Sequence, residues 1–242
     1  MHAIQIKQLT KQYKDTLAVD HLQLDIAQGE LFALLGVNGA GKTTTIKMLS
    51  CLIAPTTGDA LLQGKSICSE PQAVKSVIGI SPQETAVGMG LTVRENLQLM
   101  CGIYGFSKEK TKEKIEELSA DFQLSDLLDK KAGKLSGGWQ RRLSIAMALI
   151  GEPQILFLDE PTLGLDVLAR SALWDTIRAL KGKMTILLTT HYMEEAEALA
   201  DRIGIMKNGR LIALGTANQL KTQTNENSLE RAFISLVKEE NV

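Results

Sequence analysis

Residues 31–53 read "LFALLGVNGAGKTTTIKMLSCLI", and three patterns follow one another within them. LFALLG (31–36) is a continuous apolar run, suited to a strand buried on both faces. GVNGAGKT (36–43) fits G-x-x-x-x-G-K-[ST] in full. The glycines of such a loop let main-chain amides point at phosphates, Lys42 has the reach for β and γ groups, and Thr43 offers a hydroxyl to magnesium. KTTTIKMLSCLI (42–53) reads as a helix, whose amino terminus adds its dipole to the same anion. Strand, loop and helix in that order are the context the loop requires.

On the amino-terminal side, AIQIK (3–7) and HLQLDI (21–26) alternate apolar with polar residues, as half-exposed antiparallel strands do, and Gln28-Gly29 turns the chain. On the other side, a hairpin-like region around Gln63-Gly64 leads to a strand that ends at Pro82 and Gln83. Between Gln83 and Leu135 the chain reads as helical. Thr92 and Glu95 make a capping box there, and 107–122 is a charged amphipathic helix. The final third alternates strands, PQILFLDE (153–160) and MTILLTTH (184–191), with helices over 168–182 and 193–202, which implies a parallel sheet. Asn208-Gly209 between two apolar runs signals a hairpin, and 228–240 ends the chain as a helix with Leu229, Phe233 and Leu236 on one face.

At 242 residues the chain is expected to form one compact unit with subdomains. With 27 basic against 28 acidic residues it carries no net field that would draw nucleic acid or anionic lipid. Neither a signal-like start nor an apolar run of membrane-spanning length is found, which points to the cytoplasm. Cys51, Cys68 and Cys101 form no C-x-x-C pair and read as small buried hydrophobes.

Asp159 and Glu160 close an apolar strand, where a buried sheet would present them beside the phosphate loop. Asp159 then suits a magnesium shell and Glu160 a general base acting on water. His191 also lies at a strand's carboxyl end and could bond a γ-phosphate, although a lone histidine there is more often structural. Gln83 could reach metal or water, or be an exposed loop residue. Tyr13 could stack on a base or pack on the core. A second glycine loop, KLSGGWQRR (134–142), precedes another helix, so Ser136 and the amides of Gly137 and Gly138 form a further anion site. It has no lysine and no buried strand before it. Its economical use is to close on a nucleotide held by a different copy of the fold.

Taken in order, GVNGAGKT, Gln83, LSGG (135–138), ILFLDE (155–160), GLD (164–166) and His191 resemble the ATP-binding cassette family, the ATPase subunits of ABC transporters. The likeness runs over nearly the whole chain. It implies an α/β P-loop NTPase fold: a core with a mostly parallel sheet and an N-terminal antiparallel β subdomain over 1–83 and 151–220, an inserted helical subdomain carrying the signature motif over 84–150, and a short helical tail over 221–242. ATP and Mg2+ are the ligands it implies. Gly36, Asn38, Gly39, Ala40, Gly41, Lys42, Thr43 and Thr44 would hold the nucleotide, with Thr43, Gln83 and Asp159 at the metal and Tyr13 stacked on adenine. The resemblance makes Glu160 the base, His191 the switch histidine and Gln83 the link to a membrane partner. Two cassettes of this family bind head to tail, so Ser136, Gly137 and Gly138 would contact ATP on the second copy and Asp166 would bridge the pair.

Trp139 stands where the commonest signature has glutamine, and TLGLD (162–166) where many members have a SALD-like segment. LTVREN (91–96), GGWQRRL (137–143) and THYMEEAEALADRI (190–203) look most like ATPases of bacterial ABC-2-type exporters. The partners implied are a separate multi-span permease and a second ATPase subunit, a homodimer being expected, with no nucleic acid and no membrane span in this chain. The place implied is the inner face of the cell membrane. A soluble cassette acting on ribosomes or DNA is the alternative; such proteins commonly carry two cassettes or a long insertion, and this chain has neither. A module that senses ATP without turnover conflicts with Lys42, Glu160 and His191 occurring together.

Overall fold

The structure, a computed structural model, describes residues 1–239. Residues 240–242, which the sequence reading includes in the C-terminal tail, lie outside the described residues. Alternating apolar residues build β1 (His2–Tyr13) and β2 (Thr16–Ala27), which pair antiparallel as expected. LFALLG is β3 (Leu31–Gly36), buried at every position. β4 (Thr57–Leu62) and β5 (Lys65–Ser66) form the hairpin across Gln63-Gly64, and β4 adds to the free edge of β1. The remaining strands are β6 (Ile78–Ser81), β7 (Ile155–Asp159), β8 (Thr185–Thr190), β9 (Arg202–Lys207) and β10 (Arg210–Gly215).

Two sheets result, one four-stranded and antiparallel, the other six-stranded in the order β10-β9-β3-β8-β7-β6. All neighbours in the second are parallel except β9 and β10, which turn through Asn208 and Gly209. Both turn residues have positive φ, 48° and 81°, as a type I′ hairpin needs. Strand side chains alternate between faces, so β3 sends Leu31, Ala33 and Leu35 into one core and Phe32 and Leu34 into another. β7 divides Leu156 and Leu158 from Ile155 and Phe157 in the same way. A strand with a core on each face has no room for polar residues, which explains the unbroken apolar runs.

Helix α1 (Lys42–Leu49) follows the phosphate loop but stops short of the expected 53, because Cys51 turns the chain with a left-handed φ of 55°. A short helix that the sequence reading did not expect, α2 (Pro71–Lys75), precedes β6. α3 (Val93–Ile103) begins with the expected capping box: Glu95 N donates to Thr92 Oγ1 at 3.1 Å and Thr92 N to Glu95 Oε2 at 2.7 Å. α4 (Lys108–Asp121), α5 (Gly137–Leu149), α6 (Val167–Arg178), α7 (Met193–Leu199), α8 (Ala217–Gln223) and α9 (Leu229–Glu239) complete the fold. α9 buries Leu229, Phe233 and Leu236 against the larger core, the face its spacing implies.

The cysteine reading holds for Cys101 alone. Cys51 is half-buried, and Cys68 is exposed because it follows the two-residue strand β5 and turns its thiol to the Gly58 carbonyl at 3.7 Å. Among the described residues no helix is long and apolar enough to cross a membrane.

Candidate active site

Parallel strands end at a common edge, and β3, β8, β7 and β6 are consecutive neighbours. That edge therefore gathers the phosphate loop after β3, His191 after β8, Glu160 after β7 and Gln83 after β6. Together they line a cleft of about 530 Å³, with Asn38, Gly39, Ala40, Gly41, Lys42, Thr43 and Thr44 as one wall and Tyr13 at its rim. Ala18 and Leu163 also line it and were not foreseen. Tyr13 is 44% exposed, and Lys11 Nζ stands 5.1 Å from its ring centroid, so a base stacked there would meet a ring already held by a cation.

Gly41 occupies the N-cap of α1 with φ 104°, and a Cβ there would come within 2.4 Å of the Ala18 carbonyl oxygen. Glycine is thus required, and no side chain caps the first turn of α1. Its amides are left to an anion in the cleft. Lys42 Nζ donates to the Gly36 carbonyl at 2.8 Å and the Val37 carbonyl at 3.2 Å, and lies 3.4 Å from Glu160 Oε1. Lys42 and Glu160 are both buried.

Glu160 follows β7 with φ 47°, a left-handed conformation disfavoured for a residue with a Cβ. Its amide donates to the carbonyl and hydroxyl oxygens of Thr189, at 3.1 and 3.0 Å, which holds the turn. The carboxylate is thereby aimed into the cleft, where His191 Nδ1 lies 3.1 Å from Oε2. Glu160 stands between a lysine and a histidine. An entering polyphosphate would compete with Glu160 for Lys42.

Thr43 Oγ1 donates to Asp159 Oδ1 at 3.1 Å. Among the described residues no group of three or more His, Cys, Asp or Glu stands ready for a metal. A hydroxyl and one carboxylate are nevertheless the partial set magnesium uses when phosphate oxygens and water fill its other positions, so the residues fit that ion.

Ser136, Gly137 and Gly138 do not line the cleft. They start α5, and Ser136 makes no side-chain cap bond, whereas the N-caps of α3, α4, α6 and α8 all accept from the chain. Ser136 and Gly137 are exposed. Beside them, a Cβ on Gly138 would come 3.1 Å from that of Ala169, in the first turn of α6. Asp166 is the cap of that helix, accepting from Ala169 N at 2.8 Å, a local duty the sequence reading did not assign. Trp139 packs half-buried against the larger core with the Arg142 guanidinium 4.8 Å from its ring centroid.

Thr189 was missed altogether. Its hydroxyl donates to Asp159 Oδ1 while accepting from Glu160 N, so one buried side chain holds both adjacent acids. The doubled threonine of LLTTH before His191 is the only sequence sign of it.

The chain is similar to known proteins over most of its length. The model of the family described as ABC transporter matches residues 19–163. The chain is 44% identical over 228 residues to the daunorubicin/doxorubicin resistance ATP-binding protein DrrA of Streptomyces peucetius, a match covering 94% of this chain and 69% of DrrA. To the probable multidrug ABC transporter ATP-binding protein YbhF of Escherichia coli K12 it is 40% identical over 240 residues, 97% of this chain but 41% of YbhF. A solved ATP-binding subunit of an ABC transporter superposes with a TM-score of 0.85 at 31% identity, covering 97% of this chain and 99% of that one.

Proposed function

The chain belongs to the ABC transporter family as an ATP-binding, ATP-hydrolysing subunit, and from that premise we propose how its residues divide the work. ATP enters the cleft with its phosphates on the amides of the loop from Gly36 to Thr44 and its adenine on Tyr13. Lys42 exchanges Glu160 for the β and γ groups. Thr43, Asp159 and Gln83 would hold Mg2+, which would supply charge neutralisation of the phosphate oxygens. Glu160 takes a proton from water as the water oxygen bonds to the γ-phosphorus and the bond to ADP breaks. His191, on the same carboxylate, fixes the direction of attack. General-base assistance of this kind contributes about 10²–10⁴ in rate.

One observation carries the reading. Among the described residues the phosphate loop lines a cleft, and the second glycine loop lies outside it with its serine unused as a cap. A second copy bound head to tail gives that loop an occupant: Ser136, Gly137 and Gly138 close over the γ-phosphate on the partner, with Asp166 at the junction. ATP closes the pair and hydrolysis reopens it. The motion passes through the region of Gln83 to a separate multi-span permease, on the inner face of the membrane. DrrA and YbhF bear drug-resistance and multidrug names, which supports export as the direction.

The test is purification of the tagged chain from gently solubilised membranes of its host. A multi-span protein recovered in stoichiometric amount is the expected result. Recovery only from the soluble fraction, with ribosomes or DNA-associated proteins, contradicts it.

A further inference from the structure

Helix α5 turns one face to β6 and to the loop beyond it. Arg141, Ser144 and Ala148 recur there at i, i+3 and i+7, the spacing of one helical stripe. Ser144 Oγ lies 2.9 Å from Ser81 Oγ. Farther along, Gly79 lets the two backbones touch, since a Cβ on it would come within 2.3 Å of the Ala148 carbonyl oxygen. Nearest the Ser136–Gly138 loop, Arg141 donates one terminal nitrogen to the Pro82 carbonyl and the other to the Gln83 carbonyl, each at 2.6 Å.

Arg141 is 5% exposed, and burial lowers its pKa against the pull of Asp159 and Glu195, yet a guanidinium keeps its charge in proteins. Ordinary apolar packing would hold α5 to β6 without such a group, at less desolvation cost. What the planar fork adds is direction, because two donors in fixed geometry set the orientation of the consecutive carbonyls at 82 and 83. Arg141 does not line the cleft and reaches it only through Gln83.

We propose that Arg141 is a positioning residue which ties the Ser136–Gly138 loop to the Gln83 loop as one moving part, so that a shift of Gln83 in one cleft moves the loop that covers the other copy's ATP. The tie makes each nucleotide's state felt at the second site. This rests on the head-to-tail reading above.

The experiment compares chains carrying Glu160→Gln, with and without Arg141→Ala, by sedimentation over a range of ATP concentrations, and measures kcat of Arg141→Ala with Glu160 intact. ATP affinity of the single chain should be unchanged. The ATP needed for half-maximal pairing should rise, and kcat fall, by about tenfold, the scale on which small misplacement acts. Arg141→Lys, keeping the charge but not the fork, should recover only part of either. Wild-type pairing and kcat in Arg141→Ala overturn the proposal, as does ATP affinity falling in step with kcat, which marks plain loss of structure. Should the alanine chain not fold, Arg141→Lys decides: full kcat and pairing overturn the tie, and reduced values at unchanged ATP affinity support it. A Glu160→Gln chain that binds ATP but never pairs defeats the head-to-tail reading itself.

Discussion

His191 Nδ1 stands 3.1 Å from a Glu160 carboxylate oxygen, a contact made possible because β7 and β8 are parallel neighbours that end together. In the proposed mechanism the histidine orients the carboxylate. His191→Ala should lower kcat by about 10²-fold, within the range of a misaligned proton transfer, with ATP affinity retained. Steady-state turnover beside equilibrium binding of ATP measures both, and an unaltered kcat contradicts the role.

Glu160→Gln keeps the size of the side chain and removes its basicity. Turnover should fall by about 10²-fold or more while ATP still binds. An amide no longer competes for the Lys42 ammonium, so ATP affinity should hold or rise. Turnover equal to that of the wild type would rule out Glu160 as the base.

Thr189→Val deletes one hydroxyl and removes two hydrogen bonds, leaving Asp159 Oδ1 with Thr43 Oγ1 and Glu160 N with the Thr189 carbonyl. Losing a buried hydrogen bond costs about 0.5–1.5 kcal/mol, which denaturant unfolding should detect. Turnover should fall as well, since Asp159 and Glu160 lose a shared anchor. A stable variant with normal kcat would show that Thr189 only packs.

Glu195 is wholly buried on α7, with Trp174 Nε1 donating to Oε1 at 3.2 Å and Oε2 without a hydrogen-bond partner among the described residues. Desolvation raises its pKa above the ordinary 4.5, opposed by Thr190, Thr162, Trp174 and Arg170. Because the folded value is the higher one, the stability contributed by the protonated acid is complete below the unfolded pKa and is lost as pH rises through the folded pKa. Glu195→Gln removes the titration and keeps an acceptor for Trp174. The melting temperature of the variant relative to the wild type should climb as pH rises from 4.5. A difference that stays flat with pH contradicts the burial argument.

Local spacing carried most of what could be read in advance. Lys42 and Thr43 are set by the phosphate loop and Glu160 by its place at the end of an apolar strand, whereas Gln83 and His191, open on spacing alone, took their roles from the family resemblance. Thr189 was invisible because its partner Asp159 is met through the register of two strands thirty residues apart, which no local pattern encodes. Arg141 and Arg142 look alike in sequence. Helix phase sends the first to Pro82 and Gln83, and the second to the Phe122 carbonyl, Gln123 and the Ala172 carbonyl. The end of α1 ahead of Cys51 was missed because one residue in a left-handed conformation leaves the apolar pattern intact.

Turnover per chain, followed on dilution at saturating ATP alongside the monomer fraction by mass photometry, tests the central claim that a working site needs two chains. The proposed head-to-tail pairing, in which Ser136–Gly138 of one copy complete the phosphate loop of the other, predicts that the rate per chain falls in proportion to the fraction paired. Full turnover from the chain as a monomer would contradict it.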